Sequence, residues 1–149
     1  DQELGYKVDF IQDNESKSTS KGVLRGLHYQ SPPFAQSKLV RVLAGKVLDV
    51  TVDIRKDSAT FGLHVALELS NESKKQLFIP KGFAHGFIAL TEEVIFAYKV
   101  DAYYSADHNE GIAYNDPVIN IDWGFPDKDL LLSVADQNYP NLSDQKILF

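Results

Sequence analysis

Arg25, Gly26 and His28 stand close together in a segment that has the apolar pattern of a β-strand. An imidazole with its unperturbed pKa of about 6.5 can take up and release protons at neutral pH, and a guanidinium can hold an anionic group. Strict alternation would place Arg25 and His28 on opposite faces of the strand. If both side chains belong to one site, Gly26 should lie at a β-bulge that brings them to the same face of the strand. The alternative is a structural histidine in the core.

The remaining histidines differ in their surroundings. His85 ends the pattern Pro-x-Gly-x-x-His that begins at Pro80. The proline and the glycine predict a tight turn that delivers the histidine to a strand. His64 lies in an alternating strand and His108 in a polar turn, so we expect neither to belong to a site.

The elements that must position these side chains are predominantly β-strands. Short segments of alternating apolar residues, separated by turn residues, recur along the chain. Asp49, Thr51 and Asp53 form the polar face of the clearest one, and this face lies either in solvent, the commoner case, or in a wet lumen. Gly45 predicts a hairpin between this strand and the preceding one. The predicted strands are 38–43, 47–54, 63–69, 76–79, 84–89 and 94–100, with short helical turns at 127–132 or 143–148.

Composition limits the classes of protein to consider. The 149 residues suit one domain, and strands of this number and length form an all-β barrel or a two-sheet jelly roll whose lumen can hold a small molecule. The 15 Lys and Arg residues are scattered and the net charge is -6, so we expect no nucleic-acid partner. No apolar run approaches the roughly 20 residues of a membrane span. Cysteine is absent, which excludes disulfides and thiolate metal sites and is compatible with the cytoplasm, where we expect the protein to act.

The segment around His85 resembles the second conserved motif of the cupin superfamily. In metal-binding cupins the first motif supplies His-x-His and a glutamate, but the corresponding strand reads Gly45-Lys-Val-Leu-Asp-Val-Thr-Val-Asp53. A lone histidine holds a metal poorly. The resemblance therefore implies a cupin-type double-stranded β-helix with neither a metal nor another cofactor, and it argues against a dioxygenase.

A more specific resemblance extends almost from end to end. The chain resembles the dTDP-4-dehydrorhamnose 3,5-epimerase family, whose members are cupin enzymes of deoxysugar biosynthesis. An N-terminal segment that family members usually carry has no counterpart here, so residues 1–149 would be a single cupin domain that is naturally short or a piece of a longer chain. The matching stretches are Phe10-Ile-Gln-Asp-Asn-Glu-Ser16, Gly22-Val-Leu-Arg-Gly-Leu-His-Tyr-Gln30, Lys38-Leu-Val-Arg-Val42, Val52-Asp-Ile-Arg55, Ile79-Pro-Lys-Gly-Phe-Ala-His-Gly-Phe87, Tyr98-Lys99, Tyr103-Tyr104, Gly111-Ile112, Asp116-Pro117 and Ile121-Asp-Trp123.

This resemblance implies a reaction and the residues that perform it. The substrate would be a dTDP-linked 4-keto-6-deoxy sugar, in which the C4 ketone acidifies the protons at C3 and C5. The resemblance assigns His28 as the base, Asp136 in Leu132-Ser-Val-Ala-Asp136 as its partner, Tyr98 as the acid on the opposite side, and Lys38 as the cation near the C4 oxygen. Family members usually carry a lysine where this chain has Ala135.

The same resemblance implies the groups that bind the nucleotide. Arg25 would hold the diphosphate, a task to which its guanidinium is suited. Gln12 and Asn14 would contact the base or the phosphates, and His85 and Tyr104 would line the same pocket. It also implies a homodimer.

Three alternatives remain at this stage. One is an epimerase that inverts only C3, or one that acts on another nucleotide-linked sugar. A 3,4-ketoisomerase is disfavoured, because the segment around Tyr29 and Gln30 lacks the paired histidines of that group. A non-catalytic sugar-binding cupin is disfavoured, because the chain has all four of the residues that the resemblance assigns to catalysis, His28, Lys38, Tyr98 and Asp136.

Overall fold

Alternating apolar residues form nine β-strands within residues 3–149, the part of the chain that this computed structural model describes. Three single-turn 3-10 helices complete the regular structure of this part, at Ala106–His108, Asp127–Asp129 and Leu142–Asp144. None of the helices among the described residues is long or apolar enough to cross a membrane. The strands are β1 Gln12–Ser18, β2 Leu24–Gln30, β3 Lys38–Ala44, β4 Lys46–Asp53, β5 His64–Ser70, β6 Gln76–Ile79, β7 Phe83–Ala89, β8 Val94–Val100 and β9 Asn109–Gly111.

The strands form two antiparallel sheets. One has the order β1-β8-β3-β6 and the other the order β5-β4-β7-β2-β9. Apart from β4 and β5, strands that are neighbours in a sheet are not consecutive in the sequence, as in a jelly roll. The predicted fold class, an all-β cupin jelly roll with short C-terminal turns, is confirmed.

The hairpin predicted at Gly45 is wrong. β3 is hydrogen-bonded to β6 and β8, whereas β4 is hydrogen-bonded to β5 and β7 in the other sheet. Gly45 has a φ of 78°, and a Cβ atom there would collide with the carbonyl oxygen of Glu93. Only glycine fits this corner, where the chain crosses from one sheet to the other.

The five-stranded sheet is covered on both faces. Between the sheets, Val40, Val47 and Phe96 belong to one apolar cluster. On the opposite face, a second cluster joins the sheet to the C-terminal third of the chain, for example Val50 to Trp123. Neither face of β4 therefore lies in solvent.

Candidate active site

A cavity of about 180 Å³ opens between the two sheets. It contains five of the side chains that the sequence predicted for the site: Arg25, His28, Lys38, His85 and Tyr98. Arg25 and His28 come from β2 and His85 from β7, while Lys38 and Tyr98 come from β3 and β8 of the facing sheet. Polar groups from both sheets therefore surround one space. Its remaining lining consists of Ser16, Gly86, Phe87 and Phe96.

The predicted bulge at Gly26 is confirmed. The β2–β7 pairing is regular at Arg25, shifts register, and resumes with His28 opposite His85. Gly26 has a φ of 135°, and a Cβ atom there would lie 2.6 Å from the Cα atom of Gly86. The extra residue lets Arg25 and His28 face the same cavity, which regular alternation would forbid.

His28 is hydrogen-bonded to a buried carboxylate. Its Nε2 atom lies 2.6 Å from Oδ1 of Asp136, which is 5% exposed, and the backbone N–H of Gly26 donates to Oδ2 at 3.4 Å. Burial raises the pKa of Asp136, but the hydrogen bond from His28 and the charge of His28 outweigh it, and the net pKa is lowered. Asp136 is thus an anion that fixes the orientation of the imidazole and stabilises its protonated form.

A second His–Asp pair lies beside the first. Nε2 of His85 is 2.8 Å from Oδ2 of Asp49, which is 0% exposed. The other carboxylate oxygen of Asp49 has no hydrogen-bond partner among residues 3–149. Asp49 could not be assigned to the site from the sequence, because the alternation that places it on the polar face of β4 fits a solvent face equally well. Because the five-stranded sheet is covered on both faces, the polar face of β4 forms part of the lumen wall and does not face solvent.

The two remaining side chains of the facing sheet have shifted pKa values. Burial lowers the pKa of Lys38 to about 8, and the negative charge of Asp49 acts in the opposite direction. Burial raises the pKa of Tyr98, and the positive charge of Arg25 opposes this. At neutral pH Lys38 is therefore a cation that can lose its proton at mildly alkaline pH, and Tyr98 is a protonated phenol.

A second cavity of about 400 Å³ lies on the other side of Arg25 and His28. Asp136 and Tyr139 form part of its wall, and its apolar lining includes Leu131 and Ala135. His28 therefore stands between two spaces, one inside the lumen and one under the C-terminal segment.

The other predicted binding residues lie away from the cavity between the sheets. Gln12 donates through Nε2 to Oδ1 of Asn14 at 2.7 Å, and Asn14 stands opposite Tyr98 in the β1–β8 pair. Asn14 lines a separate groove along β1, β3 and β8, and Tyr98 borders both spaces. Tyr104 follows the end of β8, where its side chain is 67% exposed, and it lines neither cavity around His28.

His64 and His108 lie outside these cavities. Nδ1 of His108 is 2.8 Å from Oγ of Ser105, and its ring packs on Phe34. Within the described part of the chain, no three His, Cys, Asp or Glu side chains are grouped so that they could hold a metal ion.

Two packed antiparallel sheets that bring His28 and His85 into one lumen, each hydrogen-bonded to a carboxylate, are the architecture of a cupin-class protein. The chain belongs to the dTDP-4-dehydrorhamnose 3,5-epimerase family, whose family model matches residues 1–144.

Three comparisons describe its place in that family. A dTDP-4-dehydrorhamnose 3,5-epimerase of Shigella flexneri is 56% identical over 135 residues, which cover 91% of this chain and 73% of that protein. A second relative is a dTDP-6-deoxy-D-glucose-3,5-epimerase from Legionella pneumophila, whose crystal structure was determined in complex with dTDP-4-keto-L-rhamnose. It is 50% identical with a TM-score of 0.89, and the match covers 96% of this chain and 74% of that one. A 3'-monoepimerase from Streptomyces bikiniensis in complex with dTDP-quinovose is 31% identical with a TM-score of 0.85, and the match covers 95% of this chain and 71% of that one.

Proposed function

We propose that this chain is a dTDP-4-dehydrorhamnose 3,5-epimerase that inverts C3 and C5 of dTDP-4-keto-6-deoxyglucose. The observation that supports this most directly is the meeting of His28, Lys38 and Tyr98 in one cavity, with Asp136 held at 2.6 Å behind the histidine. An inversion beside a ketone needs a base, an acid on the opposite side and a cation at the ketone oxygen. The cavity contains one candidate for each task.

His28 acts as the base. Nε2 is held by Asp136, so the other ring nitrogen is the one available to take a proton from C3 or C5. The imidazolium that forms is stabilised by the carboxylate of Asp136, which remains ionised because its pKa is lowered. Removing the proton leaves an enolate whose negative charge lies mainly on the C4 oxygen.

Lys38 stabilises that enolate. A half-buried ammonium at the cavity wall interacts more strongly with a developing negative charge than it would in water. Its pKa of about 8 keeps most of the side chain protonated at neutral pH. The His85–Asp49 pair stands next to His28 in register, and we assign His85 to the sugar side of the site.

Tyr98 acts as the acid that returns a proton from the opposite side. It lies on the facing sheet, across the cavity from His28. Its raised pKa keeps the phenol protonated, as an acid must be before it donates. Delivery of the proton from the side opposite to the base is what inverts the carbon.

The nucleotide extends from the cavity between the sheets toward Asn14 and the groove along β1, β3 and β8. Arg25 borders both cavities and is placed to bind the diphosphate of a substrate whose sugar lies beside His28. Gln12, Asn14 and Tyr104 would contact the nucleotide at the edge of the site, where the structure leaves them partly exposed.

A second candidate function is epimerisation at C3 alone. It is favoured by the similarity to the 3'-monoepimerase, but that protein is 31% identical, against 56% for the 3,5-epimerase of Shigella flexneri. We therefore favour the double inversion.

Incubation with dTDP-4-keto-6-deoxyglucose in deuterated water distinguishes the two functions. NMR and mass spectrometry of the product locate the label. Deuterium at both C3 and C5 is the expected result, and deuterium confined to C3 would rule out the double inversion. An intact substrate with no label at either carbon would rule out both epimerases and leave a sugar-binding protein.

We further propose that residues 1–149 act as one cupin domain in a cytoplasmic homodimer. β1 and β6 are the edges of the four-stranded sheet, and unpaired strand edges are common places for association. Leu43 is 41% exposed beside a groove along that sheet. Light scattering should give twice the mass of the chain, and a monomer mass at assay concentration would refute the dimer.

A further inference from the structure

Tyr139 contacts the base from outside the lumen, and the mechanism above gives it no task. Its ring centre lies 5.8 Å from the centre of the His28 imidazole, with an angle of 72° between the two planes. This is the edge-to-face arrangement that aromatic pairs prefer. Tyr139 and His28 both line the cavity under the C-terminal segment.

The ring of Tyr139 is wedged against the strand next to His28. A Cβ atom on Gly111 would lie 2.6 Å from three of its ring carbons, so the ring rests directly on the glycine backbone. Gly111 is also the residue of β9 that stands opposite His28. The absence of a side chain at position 111 is therefore what allows Tyr139 to reach the imidazole.

The backbone around Tyr139 is fixed at both ends. The N–H of Ala113 donates to the carbonyl of Pro140 at 2.8 Å, directly after Tyr139. Asp136 lies three positions before it and is held by His28 and by Gly26. One short segment thus provides two contacts to the same imidazole: the Asp136 carboxylate accepts its hydrogen bond, and the Tyr139 ring packs against it.

The hydroxyl group of Tyr139 remains neutral in this place. Burial raises its pKa, and the negative charge of Asp136 raises it further. Tyr139 therefore adds no second anion beside Asp136, and its contribution to His28 comes from the ring.

We propose that Tyr139 is a positioning residue for His28, holding the imidazole at the angle from which it attacks the protons of the sugar. The hydrogen bond to Asp136 fixes one ring nitrogen but leaves the imidazole free to swing about that contact. The Tyr139 ring blocks this swing on the side away from the lumen. This inference rests on the proposed function, in which His28 is the base.

The test compares Tyr139→Phe, which keeps the ring, with Tyr139→Leu, which keeps much of the volume but removes the ring. Misplacement of a reacting group by about 1 Å can lower a rate about 100-fold, so a looser imidazole should lower kcat of Tyr139→Leu about 10-fold or more. KM should change less than about twofold, because the ring acts through His28 and not on the substrate. Tyr139→Phe should keep both constants within about twofold of the unmodified protein.

A second measurement reads the imidazole without turnover. Nitrogen-15 NMR of the ligand-free protein reports which ring nitrogen of His28 carries the proton and at what pH the ring titrates. The unmodified protein and Tyr139→Phe should show one tautomer, with the proton on Nε2 toward Asp136. Tyr139→Leu should keep this tautomer but show broadened ring resonances, because the imidazole then samples several orientations about its contact with Asp136. Tyr139→Met serves the same comparison if the leucine variant does not fold.

The outcomes separate this inference from the proposed function. A folded Tyr139→Leu with unchanged kcat and with His28 resonances as sharp as those of the unmodified protein would overturn the positioning role. So would a Tyr139→Phe variant as impaired as Tyr139→Leu, since the hydroxyl would then be the important group. An unmodified protein without epimerase activity would instead refute the proposed function, while the NMR comparison would still decide whether Tyr139 orients His28.

Discussion

Replacing Lys38 by methionine should stabilise the folded protein while it removes activity. The ammonium is half-buried at the cavity wall, where the charged group loses part of its hydration and is less stable than in water. Methionine has a similar length and no charge. A residue kept for the chemistry and not for the fold should behave in this way.

The magnitude follows from the pKa of the side chain. Burial lowers this pKa from 10.5 to about 8, and each pKa unit corresponds to about 1.36 kcal/mol, so the charged form lowers the free energy of unfolding by up to about 3 kcal/mol. Below pH 8 the side chain is protonated in the folded and the unfolded states, and the whole effect is present. Between pH 8 and 10.5 the folded protein loses the proton first, so the effect diminishes as the pH rises.

Urea unfolding of both proteins at several pH values measures this difference. Lys38→Met should have the higher free energy of unfolding at pH 7, and its advantage should shrink between pH 8 and 10. Lys75→Met, at an exposed position in the turn before β6, is the matched control and should show no such trend. A Lys38→Met variant that is less stable than the unmodified protein at pH 7, or whose advantage does not depend on pH, would refute the account of Lys38.

Three further substitutions test other parts of the site. Asp136→Asn should lower kcat about 10- to 100-fold, because a hydrogen bond to a charged group is worth about 1.5–3 kcal/mol. The exposed Asp127→Asn is the control, and equal rates for the two variants would contradict the role given to the His28–Asp136 pair. Tyr98→Phe should lower kcat by about 100-fold with a small change in KM, as expected for the loss of a general acid. Steady-state kinetics measure both constants, and a kcat within threefold of that of the unmodified protein would exclude Tyr98 as the general acid. Gly86→Ala should lower the free energy of unfolding by about 1–3 kcal/mol, because its Cβ atom would lie 2.7 Å from the carbonyl oxygen of Arg25 and force β2 away from β7. An unchanged urea midpoint would show that the two strands can separate at this point without a loss of stability.

Local sequence patterns predicted most of the strands and the bulge, but they did not predict β1 or β9. The bounds predicted for 76–79 and 94–100 agree with β6 and β8, because apolar alternation between turn residues is a property of neighbouring residues. The bulge at Gly26 could be predicted because regular alternation contradicts a shared site for Arg25 and His28.

Features that depend on distant partners could not be predicted in this way. Gly45 is a residue type that is common in hairpin turns. Only the pairing of β3 and β4 with other strands shows that Gly45 lies at a corner between the two sheets. Asp49 could be assigned to the lumen only after the second face of β4 was seen to be covered. No local sequence pattern indicates that Tyr139 contacts His28, because this contact depends on the path of the C-terminal segment.

Proton exchange catalysed by His28 is the central claim, and its most direct test is the rate of solvent deuterium entry into dTDP-4-keto-6-deoxyglucose. The unmodified protein should introduce deuterium at C3 and C5. His28→Asn, which keeps a polar side chain beside Asp136, should slow entry at both carbons by at least about 100-fold, the contribution typical of a general base, while it still binds dTDP. Deuterium entry at an unchanged rate in His28→Asn would show that another group is the base, and the assignment of the site would fall.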